Sequence, residues 1–253
     1  MTTASLVSPN RPVAANLRAI CAHLGAHGSP EHAAGVQWFF KEQVRSHGWY
    51  TAPLRAYARE VHRALASDRA ALLAAAEALF AREVLEEKIL AVTMLQPSLR
   101  HFGDAEFRRF EGWLAHASSW ADHDALAMCL LGPLIGADPR RARRAFAWAR
   151  SRSRWHRRAA AVSLIHGVRQ GGLTAEATRV TRALAADRDD MVQKGLGWLL
   201  REWGKVRPQE TVPLLLAMRG TTSRLVLRTA CERLPAAARA RVLRRAAPPT
   251  SSS

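Results

Sequence analysis

Apolar residues recur through the chain with helical spacing inside Ala-, Leu- and Arg-rich segments, and runs of β-branched residues are nearly absent. That pattern disfavours a sheet-based core and leaves helix-on-helix packing as the way to bury apolar surface. The punctuation is regular as well. Asp68, Asp104, Asp138 and Asp187 each stand at a break where a carboxylate could cap the first turn of a helix, at intervals of 36, 34 and 49 residues. Repeats of that length fit stacked helical hairpins, and the TPR signature residues are missing. The expected fold is all-α, a curved solenoid of HEAT-like helical-hairpin repeats. Residues 1–11 read as a disordered lead-in, 12–245 as one HEAT-like repeat domain without an internal linker, and 246–253 as a disordered tail.

Charge narrows the partners. With 38 Lys and Arg against 21 Asp and Glu the formal net charge is +17, which points first to nucleic acid and second to an anionic membrane surface. No window approaches the roughly 18 uninterrupted apolar residues of a membrane span, and the N-terminus lacks a secretory pattern. Three scattered cysteines, Cys21, Cys129 and Cys231, read as reduced thiols. A cytoplasmic, nucleoid-associated monomer is expected. His23 and His27 share a helical face near Cys21, but no further ligand follows, so neither metal nor cofactor is expected.

Nine arginines lie between Arg140 and Arg158, and no acid occurs from Pro139 to Ala175. Such a run is either a solvated helix surface or the partner of an anion, phosphate being the obvious one. Arg154 and Arg157 belong to this run. Arg158 falls on the apolar stripe of Trp155, Val162 and Ile165, where it either snorkels, pairs with a buried acid, or holds a backbone phosphate. In 191–203, Val192, Leu196, Leu199 and Trp203 form the buried stripe, with Trp198 off it beside Lys194 and Arg201. Trp198 therefore either packs against the next repeat or meets a sugar or base. The run Trp38-Phe39-Phe40 reads as core rather than as a cofactor box.

The most informative stretch is Ser118-Ser119-Trp120-Ala121-Asp122-His123-Asp124. At 100° per residue Asp124 shares a helix face with Trp120, Ala127, Met128 and Leu131, while Asp122 points to the opposite side. An acid among apolar neighbours needs a polar or cationic partner. It is either a structural acid favoured by the helix dipole or a catalytic carboxylate beside an aromatic wall.

Four pieces in this order resemble the AlkD-like family of DNA alkylation repair proteins across about residues 14–217. They are Gly48-Trp-Tyr-Thr-Ala-Pro-Leu-Arg55, the Trp-x-x-x-Asp of 120–124, Trp155-His-Arg-Arg-Ala-Ala160, and Met191-Val-Gln-Lys-Gly-Leu-Gly-Trp-Leu-Leu-Arg-Glu-Trp203 with Pro208 following. The resemblance implies a HEAT-like glycosylase that excises cationic N3- and N7-alkylated purines from duplex DNA without metal or cofactor. It implies Asp124 as the catalytic carboxylate, Trp120 and Trp198 as walls against the deoxyribose, and Arg158 as the phosphate contact. Arg154, Arg157, Lys194, Arg201 and Phe39 complete the expected DNA contacts. Two positions differ from the family pattern: Ser119 stands where a Trp is frequent, and Phe39 lies near a frequent Tyr. A non-catalytic scaffold for unusual DNA, or a solenoid for an acidic protein, are the rival readings.

Neutralising six to ten phosphates makes affinity fall by about 10³–10⁵ between 50 and 200 mM salt. Fluorescence anisotropy on labelled duplex DNA is expected to show that slope, and a flat salt dependence would refute phosphate binding by the arginine run.

Overall fold

The computed structural model of the chain describes residues 7–244, so the expected tail at 246–253 and the first six positions of the expected lead-in fall outside it. The rest of that lead-in packs down. Val7 is buried, Ser8 N–H donates to Asn16 Oδ1 at 3.1 Å, and Asn16 Nδ2 donates back to the Ser8 carbonyl at 2.9 Å. Among the described residues the elements are all helical, and the sole β feature is an isolated parallel bridge between Arg45 and Val84. Contacts divide the chain into two compact units, residues 1–134 and 135–253, where the sequence reads as one domain. The division falls inside a helix, Gly132–Ala137, so no linker marks it.

The first unit holds α1 (Val13–His27), α2 (Pro30–Val36), α3 (Thr51–Leu65), α4 (Arg69–Phe80), α5 (Leu85–Leu95), α6 (Asp104–Trp113) and α7 (Trp120–Leu126), with α8 (Gly132–Ala137) at the division. Its hub is α5, which packs against α1, α3, α4 and α7. Leu90, Ala91, Met94 and Leu95 supply the apolar burial expected of a central helix. Its first turn is different. Glu86, Glu87 and Lys88 are 2%, 1% and 3% exposed, a burial that charged side chains tolerate only with partners.

Each of the three serves another segment. Glu86 accepts from Ser46 Oγ at 2.5 Å and from the N–H groups of His47, Gly48 and Trp49 at 2.8, 3.1 and 3.3 Å, fixing the entry to α3. That entry turns at Gly48, whose φ of +78° disfavours any side chain, and a Cβ there would lie 1.9 Å from the Ser29 carbonyl oxygen. Glu87 accepts from Arg82 Nε at 2.5 Å and contacts His47 Nε2 at 3.0 Å. Burial, together with the Glu87 charge, pushes the nearby Cys21 thiol up to about 12. Lys88 Nζ donates to the His116 carbonyl at 2.5 Å and Ser118 Oγ at 2.9 Å, and lies 3.2 Å from Asp122 Oδ2.

The second unit continues with α9 (Arg143–Trp148), α10 (Arg154–Val162), α11 (Ile165–Arg169), α12 (Thr174–Leu184), α13 (Asp190–Val206), α14 (Pro208–Ala217), α15 (Arg224–Ala230) and α16 (Ala236–Leu243). Here α13 is the hub, packed against α10, α11, α12, α14 and α15. Val192, Leu196, Leu199 and Trp203 form its buried stripe, as the periodicity predicts. Glu202 is buried on the same helix, 2.7 Å from Lys205 Nζ, 3.0 Å from Arg169 Nε and 3.3 Å from Arg201 Nε.

Two of the four expected Asp caps are present. Asp68 accepts from the N–H groups of Ala70 and Ala71, and Asp138 from that of Arg140. Asp104 is instead the first residue of α6, and Glu106 reaches back to the Gly103 N–H at 2.8 Å. Asp187 accepts from Asp189 N–H at 2.9 Å, and Asp189 caps α13. In both cases a second acid a few residues on had the better geometry for the orphan N–H groups.

Lys88→Met is expected to cost about 3–5 kcal/mol in urea unfolding because it leaves the Asp122 carboxylate buried without its ammonium, with Asp122→Asn recovering part of the loss. For Glu202, burial raises the pKa, but hydrogen bonds from Lys205 and Arg169 prevail and the group titrates below the ordinary 4.5. A depressed carboxyl contributes stability above the unfolded value that is lost as pH falls through the folded one. Thermal melts below pH 4.5 are therefore expected to drop less steeply in Glu202→Gln than in the parent.

Candidate nucleic-acid interface and carboxylate site

In the first unit the helix carrying the expected carboxylate begins with a capping box. Ser119 Oγ accepts from the Asp122 N–H, and Asp122 Oδ1 accepts from the Ser119 N–H at 2.9 Å. Asp122 Oδ2 also accepts from the Ser118 N–H at 3.1 Å and Ser118 Oγ at 2.9 Å. Asp122 does point away from the Asp124 row, but toward the interior: it is 1% exposed and paired with Lys88. The more deeply buried acid of the stretch is thus the structural one.

Trp120, Asp124 and Met128 form a half-exposed row at i, i+4 and i+8, whereas Ala127 and Leu131, expected on the same face, are buried. Asp124 has a partner that the sequence reading lacked. His123 is fully buried, and its Nδ1 lies 2.9 Å from Asp124 Oδ1. Directly after this turn, residues 127–131 adopt a π-helix, a wide turn that in helices frequently marks functional sites.

The run Trp38-Phe39-Phe40 is not core. Trp38 and Phe39, on a 3₁₀ turn spanning Gln37–Phe39, are 90% and 74% exposed. The turn is nonetheless built firmly. Gln37 Nε2 donates to the carbonyls of Phe40 and Glu42 at 3.3 and 2.8 Å, and its Oε1 accepts from the Val44 N–H at 2.9 Å. Phe40 stacks on Trp120 at 5.0 Å, and Trp120 Nε1 donates to the Phe39 carbonyl at 3.3 Å. The first unit therefore joins Phe39, Trp120 and Asp124 in one neighbourhood.

In the second unit the expected cations are engaged within the protein. Arg158 is 5% exposed, and its Nη1 donates to the Met191 carbonyl at 2.5 Å. It passes over Gly195, where a Cβ would lie 3.1 Å from its Cγ. Its guanidinium is thus held in the packing of α10 on α13. Arg157 binds Asp187 Oδ2 through Nε at 2.6 Å and the carbonyls of Ser151 and Arg152 through Nη1 at 3.1 and 2.9 Å. Arg154 lies 4.7 Å over the Trp155 ring and 4.0 Å from Asp189 Oδ2. Lys194 pairs with Asp190 at 2.9 Å, and Arg201 with Glu232 at 2.8 Å. Hydrogen bonding to Glu232, ahead of that to Glu202, raises the Arg201 pKa above its ordinary value. Trp198 is half-buried, off the core stripe as its spacing predicts.

The exposed members of the arginine run are others: Arg140, Arg143, Arg144, Arg150 and Arg152. Sequence pattern found the cluster but could not say which members face water. Residues 1–134 contain 13 basic and 13 acidic side chains, and residues 135–253 contain 25 and 8, so the whole net charge of +17 resides in the second unit.

The fold places the chain among all-α proteins built of packed helices. The model of the family described as "DNA alkylation repair enzyme" matches residues 20–234, and the chain belongs to that family. Membership supports a role in repair of alkylated DNA. A solved structure, "Predicted DNA alkylation repair enzyme from Enterococcus faecalis", is similar with a TM-score of 0.75 at 19% identity, covering 83% of this chain and 97% of that one. At that identity the likeness speaks to the fold. No curated protein matches the chain. Among the described residues no helix is long and apolar enough to cross a membrane.

Proposed function

We propose that this protein is a DNA glycosylase that hydrolyses the N-glycosidic bond of cationic N3- or N7-alkylated purines in duplex DNA. The observation that carries the reading is Asp124: a carboxylate in the half-exposed Trp120–Asp124 row, hydrogen-bonded by a buried imidazole, beside a stacked aromatic pair. Family membership supplies the class of damage.

An alkylated purine is already positively charged. As the C1′–N bond breaks, its electron pair moves to the ring nitrogen and the base leaves neutral. The sugar is left as an oxocarbenium ion. A carboxylate near C1′ stabilises that cation and orients a water; the water adds to C1′ and gives its proton to the carboxylate. The lesion's own charge makes a strong general acid unnecessary. Trp120 would face the sugar and add cation–π attraction, and Trp198, half-buried on α13, would offer the DNA a second aromatic face.

DNA would be held by the basic second unit, chiefly through its exposed arginines. Lys194, Arg201, Arg154 and Arg157 would contribute through surface that their ion pairs leave accessible, and buried Arg158 would act by shaping α13. Phe39 and Trp38 present apolar faces on a fixed turn, which suits contact with sugar or base edges. The reading needs no metal or cofactor, and it places the protein at the nucleoid as a monomer.

Removing a preorganised electrostatic group typically costs about 10²–10³ in rate. In an HPLC assay of 7-methylguanine and 3-methyladenine release, Asp124→Asn is expected to lose that much while keeping duplex affinity. Parent-like release by Asp124→Asn would refute the mechanism, and parent protein that binds duplex without releasing base would identify a binding scaffold.

A further inference from the structure

We propose that His123 is a positioning residue for Asp124, holding its carboxylate in a fixed plane for the substrate. The proposal rests on the reading of Asp124 given above. An ionised carboxylate only accepts hydrogen bonds, so the 2.9 Å contact between His123 Nδ1 and Asp124 Oδ1 places a proton on Nδ1.

The two side chains differ in their freedom. The His123 side chain is wholly enclosed, while that of Asp124 is 16% exposed. Close packing confines an enclosed ring to one rotamer, so a rigid donor grips a carboxylate at the edge of the solvent. Successive residues of a helix diverge by about 100° and do not ordinarily face one another. Here Nδ1, the ring nitrogen nearer the backbone, has the short reach that lets neighbours meet.

The rest of the helix start reinforces the arrangement. His123 N–H donates to Asp122 Oδ1 at 2.7 Å, and Asp122 is anchored by Lys88 at 3.2 Å. A chain of fixed groups therefore runs from Lys88 through Asp122 to the backbone of His123, and its ring passes the constraint to Asp124. Misplacement of a reacting group by about 1 Å can cost about 10²-fold in rate, which sets the scale of what the imidazole protects.

The test uses the full chain and single-turnover release of 7-methylguanine from methylated duplex DNA, with affinity measured separately. His123→Phe fills the space without a donor, and His123→Asn restores a donor near the position of Nδ1. His123→Phe is expected to lower the release rate by up to about 10²-fold with duplex affinity unchanged, and His123→Asn to regain most of that loss. Nitrogen NMR of the parent protein is expected to show His123 protonated at Nδ1.

Parent-like release by His123→Phe, with release lost in Asp124→Asn, overturns the proposal and leaves the glycosylase reading standing. A bare Nδ1 overturns it whatever the kinetics. It also falls if His123→Asn is as slow as His123→Phe, or if the loss of rate follows a loss of folded protein in thermal melts. Absence of base release by the parent overturns the glycosylase reading, and this proposal with it.

Discussion

The Lys88 ammonium and the Asp122 carboxylate, 3.2 Å apart and both buried, fix where α7 starts, and the candidate site depends on that start. A buried ion pair is a poor source of net stability, because desolvation offsets most of the attraction. Its worth lies in discrimination: either charge displaced from the other is left without solvent or partner, so alternative packings of this helix end are penalised. Lys88 also bonds the His116 carbonyl and Ser118 Oγ, so the loop before α7 is held along with its first turn. Trp120 and Asp124 inherit their placement from this anchor.

The second unit uses the same device at the other end of its hub helix. Glu202 on α13 is buried and met by Lys205, Arg169 and Arg201, and Arg201 reaches on to Glu232. Each central helix is thus wrapped by neighbours on its apolar stripe and tied to them by charge at one end. The units differ in what they offer outward. The first has as many acidic as basic side chains and holds the carboxylate; the second contains all the net charge. In the proposed function, long-range attraction to a polyanion and short-range stabilisation of a sugar cation are assigned to different parts of the chain.

Helical class, the buried stripe of α13 and the off-stripe position of Trp198 were legible because periodicity reports burial directly. What pattern could not give were contacts between distant segments. Glu86-Glu87-Lys88 looks like three surface charges at the head of a helix, and only packing on 46–49, Arg82 and 116–122 puts them inside. Trp38 and Phe39 look like core because exposed aromatics are uncommon, yet a turn held by Gln37 leaves them in water. Arg158 fell on an apolar stripe, which signalled burial, but periodicity alone left snorkelling, ion pairing and phosphate contact open. His123 went unweighed because adjacent helical residues seldom touch.

The wide turn at 127–131 shifts the angular phase of the helix between Asp124 and the residues that follow. A π turn accommodates one residue more than an α turn, so the angular setting of side chains before it is not dictated by those after it. The earlier phase is set by the capping box and Lys88, and the later one by burial of Leu130 and Leu131. The Trp120–Asp124 row is thus referenced to the cap and Lys88, and the contacts that follow the turn are referenced to the core. In engineering terms the turn is a joint between two reference frames, one local to the cap and one belonging to the core.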